Sequence, residues 1–163
     1  MKPGASLPHL AWYRDRRAWR LLAIRFAPWF AGLSLAWEIA QLPLYTLWTE
    51  ATPAYMAYAV VHCTLGDVLI GTAALLLALT VARGGGLAGW RWRRIAVLTA
   101  LLGAGYTVFS EWMNTAILGS WAYAAWMPRV QLAGIAIGLS PLLQWLVLPP
   151  LALYLMRRSA RRY

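Results

Sequence analysis

Four stretches of this chain, residues 26–48, 56–82, 95–118 and 132–156, are almost free of charge and each exceeds 20 residues. A hydrocarbon core about 30 Å thick is crossed by about 20 apolar residues in helix. Open sheets and irregular backbone cannot cross it, because their polar groups would go unpaired. The expected fold is therefore all-α: a polytopic membrane protein built as a four-transmembrane-helix bundle. Residues 1–25 form a basic segment ahead of the bundle and 157–163 a basic tail after it. Turn and breaker residues mark the connections: Glu50, Thr52 and Pro53, then Arg83-Gly84-Gly85-Gly86 through Arg94, then Ser120 to Gln131 with Pro128.

Charge is scarce, at 12% of residues against 61% hydrophobic, yet the net charge is +10. A nucleic-acid binder would spread its basic residues over a folded surface. Here they flank the apolar runs, so nucleic acid is not an expected partner and the lipid bilayer is. Lys2, Arg14, Arg16, Arg17, Arg20 and Arg25 precede the first run. Arg83, Arg91, Arg93 and Arg94 separate the second from the third, and Arg157, Arg158, Arg161 and Arg162 follow the fourth. Only Arg129 falls on the opposite side. Lysine and arginine concentrate in cytoplasmic loops, which predicts that both termini are cytoplasmic.

The first run is expected to be retained rather than cleaved as a signal peptide, being long, preceded by basic sequence and interrupted by Glu38. The segment from His9 to Arg25 mixes Trp12, Tyr13 and Trp19 with arginines. That suits a helix on the anionic inner leaflet or, equally, a solvated basic flank. Trp29, Trp90 and Trp92 at the inner ends, and Trp48, Trp121 and Trp126 at the outer ends, are placed as aromatic belts. Cys63 is alone, so the chain has no intrachain disulfide, CxxC pair or cysteine-based zinc site.

Each run carries a polar stripe at helical spacing. The stripes are Ser34, Glu38, Gln41 and Tyr45; His62, Cys63 and Asp67; Thr107, Glu111 and Asn114; and Ser140 and Gln144. At about 1.5 Å per residue these fall in one layer, displaced toward the outer leaflet. Trp37, Trp112 and Trp145 each adjoin a polar residue and are expected to wall a cavity beside it. A carboxylate at mid-helix costs about 2.5–3.5 kcal/mol on insertion scales. Three of them and a histidine must then be paired, hydrated, protonated or metal-bound. Such a cluster is expected to hold at least one proton, as acid–base chemistry requires. Pro43, Pro141, Pro149 and Pro150 would free backbone carbonyls at membrane depth, which favours an irregular, cavity-lined site. Gly134-x-x-x-Gly138 would let the last helix pack closely, within the bundle or in a homo-oligomer.

Two resemblances bear on these residues. The run Tyr106, Ser110-Glu111-Trp112-Met113-Asn114, Trp121, Tyr123, Met127 and Pro128 resembles a family of small bacterial four-helix membrane proteins without an assigned function. Trp37-Glu38-x-x-Gln41-x-Pro43 and Pro141-x-x-Gln144-Trp145 resemble parts of the same family, which would span most of the chain. That resemblance implies a multi-pass protein of the bacterial inner membrane. His62, Asp67, Glu111 and Asn114 also resemble the site of the sterol-isomerase-like membrane proteins, helical bundles with histidine and acids around a sterol-sized cavity. The histidine-to-acid spacing here is five where that family has four.

The expected function is binding, and acid–base conversion, of an apolar small molecule such as a lipid or isoprenoid. Glu38 or Glu111 would serve as general acid and His62 or Asp67 as base, with Trp37, Gln41, Trp112, Asn114 and Gln144 around the ligand. Whether the chain is an enzyme, and which cofactor it would use, the sequence leaves open. No phosphate-binding glycine loop, HExxH or serine elbow is present. One alternative is a metal site on Glu38, His62, Asp67 and Glu111, a donor set suited to iron or manganese. It lacks the paired ExxH of carboxylate-bridged bundles, and His62 and Asp67 lie about 140° apart on a helix. Proton or ion movement is another alternative, and an accessory subunit of a larger membrane complex a third.

Overall fold

The structure is a computed structural model that describes residues 11–160. It is predominantly helical. Helix α1 (Arg16–Leu21) runs through a π-helical turn, Leu22–Phe26, into α2 (Ala27–Gln41). A 3-10 turn (Leu42–Leu44) and the short α3 (Leu47–Glu50) follow, then α4 (Pro53–Val81) and α5 (Trp92–Trp112). The last of these passes into a second π-helical turn, Met113–Ile117. Strands β1 (Arg129–Leu132) and β2 (Ile135–Gly138) form an antiparallel hairpin ahead of α6 (Leu139–Ala160).

Among the described residues, Pro53–Val81, Trp92–Ile117 and Leu139–Ser159 are the three helices long and apolar enough to cross a membrane. The first expected run, 26–48, ends early as a helix. α2 stops at Gln41 because Pro43 has no N–H to continue the ladder and clashes with the preceding turn. At its other end the helix extends back to Arg16, through four arginines that lower its hydropathy. α2 nonetheless packs against both α4 and α6, and α5 against α4 and α6, which closes a four-membered ring of helices. Phe26, Phe30, Leu75, Leu79, Ile95, Trp145 and Met156 fill its buried core.

The fourth run is corrected at its start. Residues 132–138 are not helix. Ala133 and Gly134 both have positive φ, 49° and 82°, the signature of a two-residue hairpin turn. Gly134 and Gly138 therefore sit in the hairpin and form no helix-packing motif. Pro141 is the third residue of α6, where its missing N–H is one the helix leaves unpaired anyway, so it frees no carbonyl.

The N-terminal segment folds onto the 82–91 loop. The Trp12 N–H donates to the Gly84 carbonyl at 3.2 Å, and Trp12 itself is buried. α4 ends with Arg83 at φ 50°, whose N–H donates to Thr80 while Gly84 N–H reaches Leu79. That is a Schellman closure with arginine where glycine usually stands. Trp90, expected in an aromatic belt, is instead buried in this loop and donates its indole N–H to Gly85 at 3.1 Å. Arg157 lies over the Trp92 ring at 5.7 Å. Both described chain ends thus share one end of the bundle with the 82–91 loop. Lys2, His9, Arg161 and Arg162 lie outside the described residues.

Candidate functional site

At the opposite end the polar stripes converge. α2 delivers Glu38 and Gln41 in its last turn, where Pro43 then ends the helix. α4 delivers Asp67 from its middle, and α6 brings Ser140 and Gln144 in its first two turns. Gln144 is the hub. Its side-chain nitrogen donates to Asp67 at 2.5 Å and to Glu38 at 3.3 Å, so two carboxyls share one amide. Gln41 donates to the same Glu38 oxygen at 2.8 Å and to the Gln144 carbonyl at 3.4 Å, and accepts from the Ser140 hydroxyl at 2.8 Å. Gln41 and Gln144 are buried, as polar groups are when their partners are supplied.

Glu111 anchors a second cluster. It is buried near the end of α5 and accepts a hydrogen bond from the Tyr123 hydroxyl, which in turn accepts from the Gly138 N–H at 3.0 Å. One carboxyl thereby ties α5, the 118–128 loop and the hairpin together. The π-helical turn begins two residues later. There Thr115 bonds back to the Glu111 carbonyl at 2.6 Å, and Asn114 to the Ser110 carbonyl at 2.9 Å. π turns are frequent at functional sites because they shift a side chain off the regular helical repeat. The loop is pinned from above as well. Thr46 N–H donates to Ala122, Ala124 N–H to Leu44, and the Trp126 indole N–H to the Pro43 carbonyl at 2.8 Å.

Both clusters face one cavity of about 520 Å³. Glu38, Gln41, His62, Asp67, Glu111, Asn114 and Gln144 line it, so most of the expected site residues are brought together. Trp145 lines it too, with its ring packed 5.9 Å from Phe30. Trp37 and Trp112 do not. Their helical neighbours face the cavity, and a step of about 100° turns these rings away. Trp37 packs against the apolar core, and Trp112 lies beside Phe109, 6.1 Å between ring centroids. His62 is exposed at the rim and stacks on Tyr58 at 5.6 Å, apart from the acids. Among the described residues, no three histidine, cysteine or acidic side chains are grouped to hold a metal ion.

Several lining residues escape the sequence reading. Tyr55 and Tyr58 join His62 at spacings of three and four along α4, a legible stripe that the aromatic character of the run conceals. Tyr123 carries no local signal for its role, since its partner lies across a loop. No protein-family model matches the chain, and neither a curated protein nor a solved structure matches it significantly.

Proposed function

We propose that this chain is a bacterial inner-membrane protein whose cavity binds an apolar small molecule, of the lipid or isoprenoid class, and acts on it by acid–base chemistry. One observation carries the reading: three carboxyls from three different helices line a single cavity of about 520 Å³. Intramembrane acids are costly, and they are functional candidates by default. Glu38 and Asp67, bonded to one amide nitrogen, are close enough that a proton shared between them relieves like-charge repulsion. That pair is the proton store. Glu111, with Tyr123 on its outer side, is the second acid–base group facing the same space. On this reading the helix from Arg16 to Gln41 is a fourth span, both termini are cytoplasmic, and the cavity sits toward the outer leaflet. The metal alternative loses support because the acids and His62 do not gather around one point.

Native mass spectrometry of the purified protein tests the reading, with Glu111→Gln beside it. The expected result is a discrete extra mass of lipid size on the wild type, lost in the variant while its melting temperature holds. A bare wild type in several mild detergents would count against a ligand pocket, and a melting temperature that collapses with no ligand difference would reduce Glu111 to structural glue.

A further inference from the structure

The chemistry of the cavity wall narrows the ligand class, on the reading of the cavity just given. Three acids line it, and among the described residues no lysine or arginine does. The amide and phenol donors bonded to those acids are engaged, while the buried Trp121 indole N–H on the same wall has no hydrogen-bond partner among the described residues. Gln144 and Gln41 donate to Glu38, Asp67 and one another, and Tyr123 donates to Glu111. A ligand arriving at the acids meets mainly acceptors, with the Trp121 N–H as one donor. Around them stand the rings of Tyr45, Tyr106, Trp121 and Trp145, whose faces attract cations. An anionic head group would be buried against three acids without a counter-charge, which is strongly unfavourable.

The cavity also has a side opening. Tyr55, Tyr58 and His62 on α4, Tyr106 on α5 and Ser120 in the loop after it line the cavity and are exposed at the same time. The gap therefore lies between the N-terminal half of α4 and the C-terminal half of α5. The surface around it is apolar, with Val61, Leu65 and Phe109 each more than half exposed. A bundle in a bilayer would turn such a flank to the lipid tails.

We infer that the cavity takes the ammonium head of a single-chain amphiphile, which enters sideways between α4 and α5 and leaves its hydrocarbon tail among the lipids. The acids and aromatic faces bind the cation, and the tyrosines frame the portal. An alcohol of equal chain length gains the hydrogen bonds without the charge interaction. A phosphate head is rejected.

The test offers dodecylamine, 1-dodecanol and dodecyl phosphate, one at a time, to the purified full-length protein in a neutral maltoside detergent. Occupancy is titrated by native mass spectrometry. One dodecylamine per chain is expected, with an apparent Kd at least tenfold below that of dodecanol, and no retained dodecyl phosphate. Because acid variants can fail to fold, Gly66→Leu is the control. Gly66 lines the cavity and a Cβ added there meets no atom within 4 Å, so a new side chain starts in open space at the cavity wall. An unchanged melting temperature checks that the leucine is tolerated. The variant should weaken dodecylamine at least tenfold. Dodecanol or dodecyl phosphate binding as tightly as the amine would overturn the ammonium inference and leave the apolar-ligand reading standing. Amine binding untouched by Gly66→Leu would place it outside the cavity and overturn the inference as well. If the folded wild type retains none of the three, both readings fall together.

Discussion

Asp15 accepts hydrogen bonds from the backbone N–H of Arg17 at 2.9 Å and of Leu87 at 3.1 Å. With one carboxylate it caps the first helix and fastens the N-terminal segment to the 82–91 loop. The Leu87 N–H, and then that of Arg17, hold its carboxyl below the usual carboxylate range against some opposing desolvation. A lowered folded-state pKa stabilises the fold above the unfolded value, near pH 4, and the contribution is lost as pH falls through the folded value. Asp15→Ala should lower the melting temperature at pH 7, and the gap from wild type should close below about pH 4. A gap that persists at pH 2 would show that the carboxylate is not its source. Asp15 is legible in the sequence as a capping residue ahead of a helical run. Its bond to Leu87 is not, because 72 residues separate the two. The same limit hides the bond from Tyr123 to Glu111, whereas Glu38 and Gln41 could be paired from their spacing alone.

Helix contact depends on two glycines. A Cβ at Gly103 would lie 1.9 Å from the Trp145 ring, and one at Gly71 2.2 Å from Phe30. These absent side chains let α5 approach α6 and let α4 approach α2. Both rings are buried in the core and have little room to retreat. Gly103→Ala and Gly71→Ala should each cost about 1–3 kcal/mol, as overpacking does. Gly105→Ala, two residues along α5 and facing open space, should be neutral or stabilise by up to about 1 kcal/mol. Thermal unfolding in detergent separates the two cases, and equal effects at Gly103 and Gly105 would refute the packing account. The three long apolar helices are legible from length and hydropathy, because a lipid core imposes that length. The hairpin at 129–138 was not. Residues 132–138, which the span was expected to include, are as apolar as a span, and composition does not distinguish a short apolar strand from the start of a helix. The two π-helical turns left no periodic trace either.

The described residues form a closed ring of helices, with the 82–91 loop at one end and the pairing of residues 44–46 with 122–124 at the other. On the proposed reading, the basic residues grouped at the first end set its orientation in a bilayer. On a Cys63→Ala background, Ala88→Cys and Ala125→Cys place single thiols at exposed positions on the two ends. A membrane-impermeant maleimide should label Ala125→Cys in spheroplasts, and Ala88→Cys only after the membrane is opened. The reverse pattern would invert the topology.

What the sequence determined by itself was set by the solvent. Apolar length, the asymmetry of arginines and the cost of intramembrane acids are properties of residues against water and lipid, so they can be read without coordinates. They yielded the long helices, the grouping of basic residues at one end and most of the residues of the polar cavity. Tertiary structure alone decided how those residues are partnered. It put two carboxyls on one glutamine, set Glu111 against a loop tyrosine, left His62 at the rim and turned Trp37 and Trp112 away. Those outcomes depend on helix rotation and on contacts across long stretches of chain, where a shift of one residue, about 100°, changes which side chain faces the cavity.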